Sequence, residues 1–211
     1  MDKILNLIKQ NKNDIFKPII VLLAICIVIP LALSLTNHIT ANRITELEVK
    51  TQKDAMAELL EADKFEEITF GEAEAEQIIY NSALKDGKIV GYIFKTSAKG
   101  YSGGNVSVMT AINPDGTVKA VKILDVSNET PGLGQNAGKE SFYSQFSGKK
   151  KDIKAVKNSA NAENNEIKTI TGATITSKAV TTAINEALEN YYMISLTFST
   201  IPETEVVNSE K

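Results

Sequence analysis

Val106-Ser107-Val108-Met109-Thr110-Ala111-Ile112-Asn113-Pro114-Asp115-Gly116-Thr117-Val118-Lys119-Ala120-Val121-Lys122-Ile123-Leu124 reads as strand, turn, strand. Branched and apolar residues alternate with polar ones on both sides of Asn-Pro-Asp-Gly, the pattern of half-exposed antiparallel strands joined by a tight turn. Upstream the signal repeats. Gln77-Ile78-Ile79-Tyr80 leads to Lys85-Asp86-Gly87-Lys88 and then to Ile89-Val90-Gly91-Tyr92-Ile93-Phe94, and Asp-Gly between such runs marks a hairpin. A meander of about four strands follows by counting these runs, which makes the fold α+β with a mostly antiparallel sheet and flanking helices.

Working towards the N-terminus, residues 40–66 are rich in Ala, Glu, Lys and Leu, with no Gly or Pro. Leu47, Met56, Leu59 and Leu60 recur at roughly helical spacing, so a membrane-proximal helix is expected over 40–70. Before it, Ile19 to Leu35 is a seventeen-residue run without charge. At about 1.5 Å per residue it spans roughly 26 Å, close to a hydrocarbon core of about 30 Å. Flanking residues extend it, giving a membrane helix over 18–37.

Lys3, Lys9, Lys12 and Lys17 precede the run and Arg43 is the first cation after it. The positive-inside rule then puts residues 1–17 in the cytoplasm and the main domain outside, in the inner or cytoplasmic membrane with a single pass. A signal peptide ending at Ala32-Leu33-Ser34 fits less well, because the apolar stretch is longer than a usual signal core. Cys26 lies mid-run after a bulky Ile, where a lipoprotein site does not belong.

Towards the C-terminus, a short helix is expected over about 138–147, with Phe142, Tyr143 and Phe146 on one side. Lys154-Ala155-Val156 suits a further strand, and the Asn- and Glu-rich residues 157–167 suit a loop. From Thr176 to Tyr192 the apolar stripe Ala179, Val180, Ala183, Ile184 and Leu188 has helical period. The outer domain is therefore expected over 76–195, with a polar tail over 202–211.

The composition of the 211 residues excludes several chemistries. One Cys permits no intrachain disulfide and no cysteine-held iron–sulfur cluster, and one His rules out a His-rich zinc site. Metal catalysis through carboxylates alone stays open, but no EF-hand pattern is present. Any redox work must then sit on an organic cofactor. A net charge of −3 disfavours nucleic acid as a partner. Residues 40–211 carry 19 positive and 24 negative side chains, an acidic exterior domain.

Three segments suit ligand binding. Thr171-Gly172-Ala173-Thr174-Ile175-Thr176-Ser177 feeds the last helix with small residues, and a helix start offers unpaired N–H groups to a phosphate. The hydroxyls of Thr174, Thr176 and Ser177 equally suit helix capping. Glu129-Thr130-Pro131-Gly132-Leu133-Gly134 either turns the chain or lines a pocket, with Leu133 as an apolar wall and Thr130 as a hydrogen-bonding group. Gly100-Tyr101-Ser102-Gly103-Gly104 reads by itself as a strand connection and lacks the Lys-Ser/Thr pair of a Walker loop.

Together, these segments resemble the FMN-binding domain family, and within it the G subunits of Rnf complexes, ion-translocating ferredoxin:NAD oxidoreductases. The resemblance also takes in Thr36-Asn37-His38-Ile39-Thr40-Ala41 and Lys99 to Met109. It implies FMN attached covalently, as a phosphoester on the threonine ending (S/T)GAT, here Thr174. It further implies a flavin site holding Thr171, Gly172, Ala173 and Ser177, with Thr130, Leu133 and Glu129 near the flavin and Tyr101, Ser102 and Gly103 lining it.

A flavin transferase using FAD, the other subunits of the complex and the lipid bilayer are the implied partners. The transferase's usual pattern has Asp three residues before the Ser/Thr of that motif, where this chain has Lys168, with Glu166 nearby. No general acid or base is called for in an electron carrier of this kind. The related C subunit of sodium-pumping NADH:quinone reductases shares the chemistry, but the compact size and short membrane-proximal stretch favour the Rnf type. A flavin-free anchored binding or scaffold domain, with the threonines only capping a helix, is the alternative of another class.

Overall fold

A computed structural model describes residues 12–71, 77–158 and 160–198. The N-terminal end of the expected cytoplasmic segment and the tail over 202–211 lie outside the described residues. The chain divides into two units between Thr51 and Gln52.

The described residues of the first unit are helical. Helix α1, Lys12–Leu59, begins in it and contains Pro18 and Pro30. Among the described residues it is the one helix long and apolar enough to cross a membrane. Every side chain from Phe16 to Ala41 is exposed, whereas a soluble core helix buries its apolar stripe. The hydroxyls that follow the apolar run are bonded back along the helix, Thr36 to Ala32 O and Thr40 to Thr36 O, both at 2.8 Å.

The second unit is built on a five-stranded meander in the order β1-β2-β3-β4-β5, each pair antiparallel. The strands are β1 Lys64–Phe70, β2 Ile78–Lys85, β3 Lys88–Lys99, β4 Asn105–Ile112 and β5 Val118–Asp125. Asp86 and Gly87 both take positive φ, 52° and 73°, as the expected two-residue hairpin between β2 and β3 requires. The strand count exceeds the expected four by one. The helix expected through residue 70 ends at Leu59, and β1 follows. Phe65 packs on one face of the sheet, and Ile68 and Phe70 on the other, so the segment has period two, and its aromatic and branched residues favour pairing with β2 over helix.

Both sheet faces are covered. On one lies α3, Thr174–Phe198, whose Ala179, Val180, Ala183, Ile184, Ala187 and Leu188 bury against Tyr80, Phe94, Val108 and Ile112. Small alanines let the helix sit close enough for the Thr96 hydroxyl to donate to Ala183 O at 2.8 Å. On the other face, Ala55, Leu59 and Leu60 pack on Ala83, Ile93, Met109 and Ala111. Lys122 of β5 pairs with Glu58 at 2.7 Å.

The helix expected over 138–147 is broken into 3-10 turns at Gly134–Gly138 and Ser144–Phe146 around one α-turn, α2, Glu140–Tyr143. Phe142 and Phe146 are still buried. Strand β6, Lys154–Val156, is where it was expected. It pairs in parallel with β7, Glu166–Lys168, inside a stretch expected to be loop. Three residues with one apolar side chain give no local strand pattern; burial of Ile167 and pairing with β6 make the strand.

Candidate functional site

The N-terminus of α3 lies beside the loop that leaves β5. The chain exits β5 through Asp125, whose Oδ1 accepts the Ser127 N–H at 2.7 Å. That bond, with the Ser127 hydroxyl as a lesser cause, holds the Asp125 carboxyl below its ordinary range. Two residues on, Glu129 is buried, and Thr130 to Gly134 turn back on themselves, with Leu133 N and Gln135 N both donating to Thr130 O.

Ala173 precedes the first helical residue of α3, and its carbonyl accepts from Ser177 N at 3.0 Å. The N–H groups of Thr174, Ile175 and Thr176 are thus those that a helix leaves without an internal partner. The three hydroxyls expected as capping candidates have three different fates. Ser177 is fully buried; its Oγ donates to Ala173 O and accepts from Ile170 N, fastening the segment after β7 to the helix. Thr176 donates to Glu129 Oε2 at 2.5 Å. Thr174 Oγ1 has no hydrogen-bond partner among the described residues, and Thr174 lines a cavity. None of the three makes the capping bond to the helix N–H groups.

That cavity measures about 440 Å³ and is lined by Tyr101, Glu129, Thr130, Leu133, Gly134, Gly172, Ala173, Thr174, Ile175 and Thr176. Small-molecule sites run from about 300 to 1,000 Å³. Tyr101, Leu133 and Ile175 are 66, 43 and 52 % exposed, an apolar and aromatic rim around a polar floor. Gly172 has φ +79°, and a Cβ there would stand 3.0 Å from Leu133 Cδ2, so the backbone itself forms that wall.

The three sequence segments therefore converge on one cavity. Of the residues expected around a flavin, Tyr101, Glu129, Thr130, Leu133, Gly172, Ala173 and Thr174 line it. Ser102 sits just behind, its N–H reaching Glu129 Oε1 at a long 3.4 Å. Gly103 and Thr171 are exposed outside the lining, and Ser177 points inward, away from any ligand. Gly134, Ile175 and Thr176 lie within those segments but were not among the residues assigned to the flavin. Ile175 carried a signal, being a large apolar residue off the buried stripe of its helix. Lys168 is exposed at the end of β7, its backbone held at both ends by Gln145: its N–H donates to Oε1 at 2.8 Å and its carbonyl accepts from Nε2 at 3.3 Å.

An FMN would find what it needs in these residues: helix N–H groups and an uncommitted hydroxyl for the phosphate, and an apolar rim for a planar ring. The class is that of an FMN-binding domain, whose sequence profile matches residues 100–189.

Over most of its length the chain is similar to two named relatives. It is 37% identical to the G subunit of the proton-translocating ferredoxin:NAD(+) oxidoreductase complex of Clostridium ljungdahlii, over 85% of this chain and 93% of that one. It is 36% identical to the G subunit of the Na(+)-translocating ferredoxin:NAD(+) oxidoreductase complex of Acetobacterium woodii, over 86% and 93%. The chain belongs to the family of Rnf complex G subunits. Among solved structures, NqrC of Shewanella oneidensis superposes with a TM-score of 0.46 at 19% identity, over 56% of this chain and 61% of that one.

Proposed function

We propose that this chain is the FMN-carrying electron-transfer subunit of an Rnf-type ion-translocating ferredoxin:NAD oxidoreductase complex, with FMN held as a phosphoester on Thr174. The observation that carries the reading is the Thr174 hydroxyl, uncommitted among the described residues and lining the cavity at the start of a 25-residue helix. Attachment by a flavin transferase from FAD would join Thr174 Oγ to the FMN phosphorus, with the pyrophosphate bond broken, AMP released and the hydroxyl proton lost. The helix N–H groups and macrodipole would favour the phosphate charge there.

Bound FMN supplies one- or two-electron chemistry. The chain's own residues hold it in place: Gly172 and Gly134 allow close approach, and Tyr101, Leu133 and Ile175 give an apolar rim. The apolar run of α1 spans the membrane with the N-terminus in the cytoplasm and the second unit outside. It carries no charge from Ile19 to Leu35, so it offers no ion path of its own, and ions cross elsewhere in the complex. A covalent link suits a domain outside the cytoplasm, where a lost cofactor is not readily replaced.

Co-expression with a flavin transferase, followed by intact mass measurement, tests the reading. The parent is expected to gain one FMN less water and Thr174→Ala to gain nothing while staying folded. A parent that gains no mass beside a transferase active on another substrate, or a Thr174→Ala chain that gains the same mass, overturns the assignment.

A further inference from the structure

Glu129 is 3% exposed, and a carboxylate so deeply placed costs several kcal/mol unless donors meet it. Here the donors come from two other segments. Thr176 of α3 donates its hydroxyl to Oε2 at 2.5 Å, and the Ser102 N–H of the 100–104 turn reaches Oε1 at 3.4 Å. The chain also makes room for this carboxyl. A Cβ on Gly100 would collide with Glu129 Oε1, and one on Gly134 would stand 2.7 Å from Oε2, 2.8 Å from Glu129 Cβ and 2.8 Å from Thr176 Oγ1. Two glycines in two loops are thus spent on seating one side chain. An apolar residue would fill the space at lower cost, but it lacks directed acceptors.

We propose that Glu129 is a positioning residue: its buried carboxylate holds the 100–104 turn, the 129–134 loop and the first turn of α3 in register, and so sets Thr174 in the cavity wall. It acts through Thr176 and Ser102. The purpose of this role rests on the flavin reading above, while the geometry belongs to the chain alone. Loss of a hydrogen bond to a charged group weakens its segment by about tenfold or more in local opening.

The test uses the full-length chain in detergent micelles, with Glu129→Gln, Thr176→Val and the conservative Thr176→Ser. The first readout is amide exchange without flavin. Ser102 and Ser177 are expected to exchange about tenfold faster in Glu129→Gln and Thr176→Val, and within about twofold of the parent in Thr176→Ser. Amides of Val108 and Ile112 in the sheet stay as in the parent. The second readout is the rate of FMN attachment at saturating transferase and FAD, expected to fall about tenfold in Thr176→Val and to recover in Thr176→Ser.

Unchanged exchange at Ser102 and Ser177 overturns the proposal, as does faster exchange spread through the sheet, or a Thr176→Ser chain as impaired as Thr176→Val. A parent chain that takes no FMN while exchange responds as expected sinks the flavin reading and leaves the positioning role standing. FMN attached at parental rates in Thr176→Val sinks the positioning role and leaves the flavin reading intact.

Discussion

At Thr174, Thr176 and Ser177, one side-chain group at three nearby positions does three jobs, and neighbours decide which. Ser177 is drawn into the strand-to-helix junction, Thr176 is claimed by Glu129, and Thr174 faces the cavity. The sequence made all three equal candidates for capping, because nothing local says which hydroxyl a distant carboxylate will recruit. Tyr80 shows the same dependence on surroundings. Burial, with Tyr92 as the lesser cause, pushes its hydroxyl from 10.0 up to about 12. The neutral form is thus favoured on folding, so the associated stability is present below pH 10 and lost as pH rises towards 12. The loss is of order 2–3 kcal/mol. Urea unfolding at about pH 8 and pH 11.5 is expected to show this drop in the parent and a smaller one in Tyr80→Phe; equal drops in both would place the alkaline weakness elsewhere.

Among the elements, hairpins and the last helix were legible, because turn chemistry and period are local signals. The Asp86-Gly87 turn, β4, β5 and the α3 stripe are where the residues put them. The misread elements depend on partners. Lys64–Phe70 was counted into a helix since it follows one and lacks Gly and Pro, yet its strand needs β2 beside it. Three-residue β7 exists only against β6. The end of α1 belongs with the sheet in the same way: Ala55, Leu59 and Leu60 form part of the second cluster. A chain beginning at Gln52 is therefore expected to stay folded and monodisperse in water. One beginning at Lys64 leaves Ile93, Met109 and Ala111 uncovered on that face, and is expected to melt several degrees lower or aggregate. Equal melting temperatures for the two would show that this cover contributes nothing.

For the whole molecule, composition told more about chemistry than about shape. One Cys and one His removed most metal and thiol mechanisms, and three loop segments far apart in sequence marked the cavity before any contact was known. The roles of Gly134 and Thr176 were hidden, because they depend on Glu129 and not on their own neighbours. Orientation across the membrane rests on four lysines before the apolar run. A Cys26→Ser chain carrying Lys119→Cys, an exposed position on β5, is expected to react with a membrane-impermeant maleimide in intact spheroplasts. Labelling only after lysis would reverse the topology. One more consequence concerns time. The cavity draws on residues from Tyr101 to Thr176, and the sheet face beneath it is covered by α3, Thr174–Phe198, with Phe142, Phe146 and Ile167 in the same cluster. A chain made from its N-terminus onward holds Phe94, Val108 and Ile112 without their α3 partners until that helix has been made. The cavity wall at Thr174 is thus completed only by the last of the described elements, and a chain truncated before α3 has no such cavity.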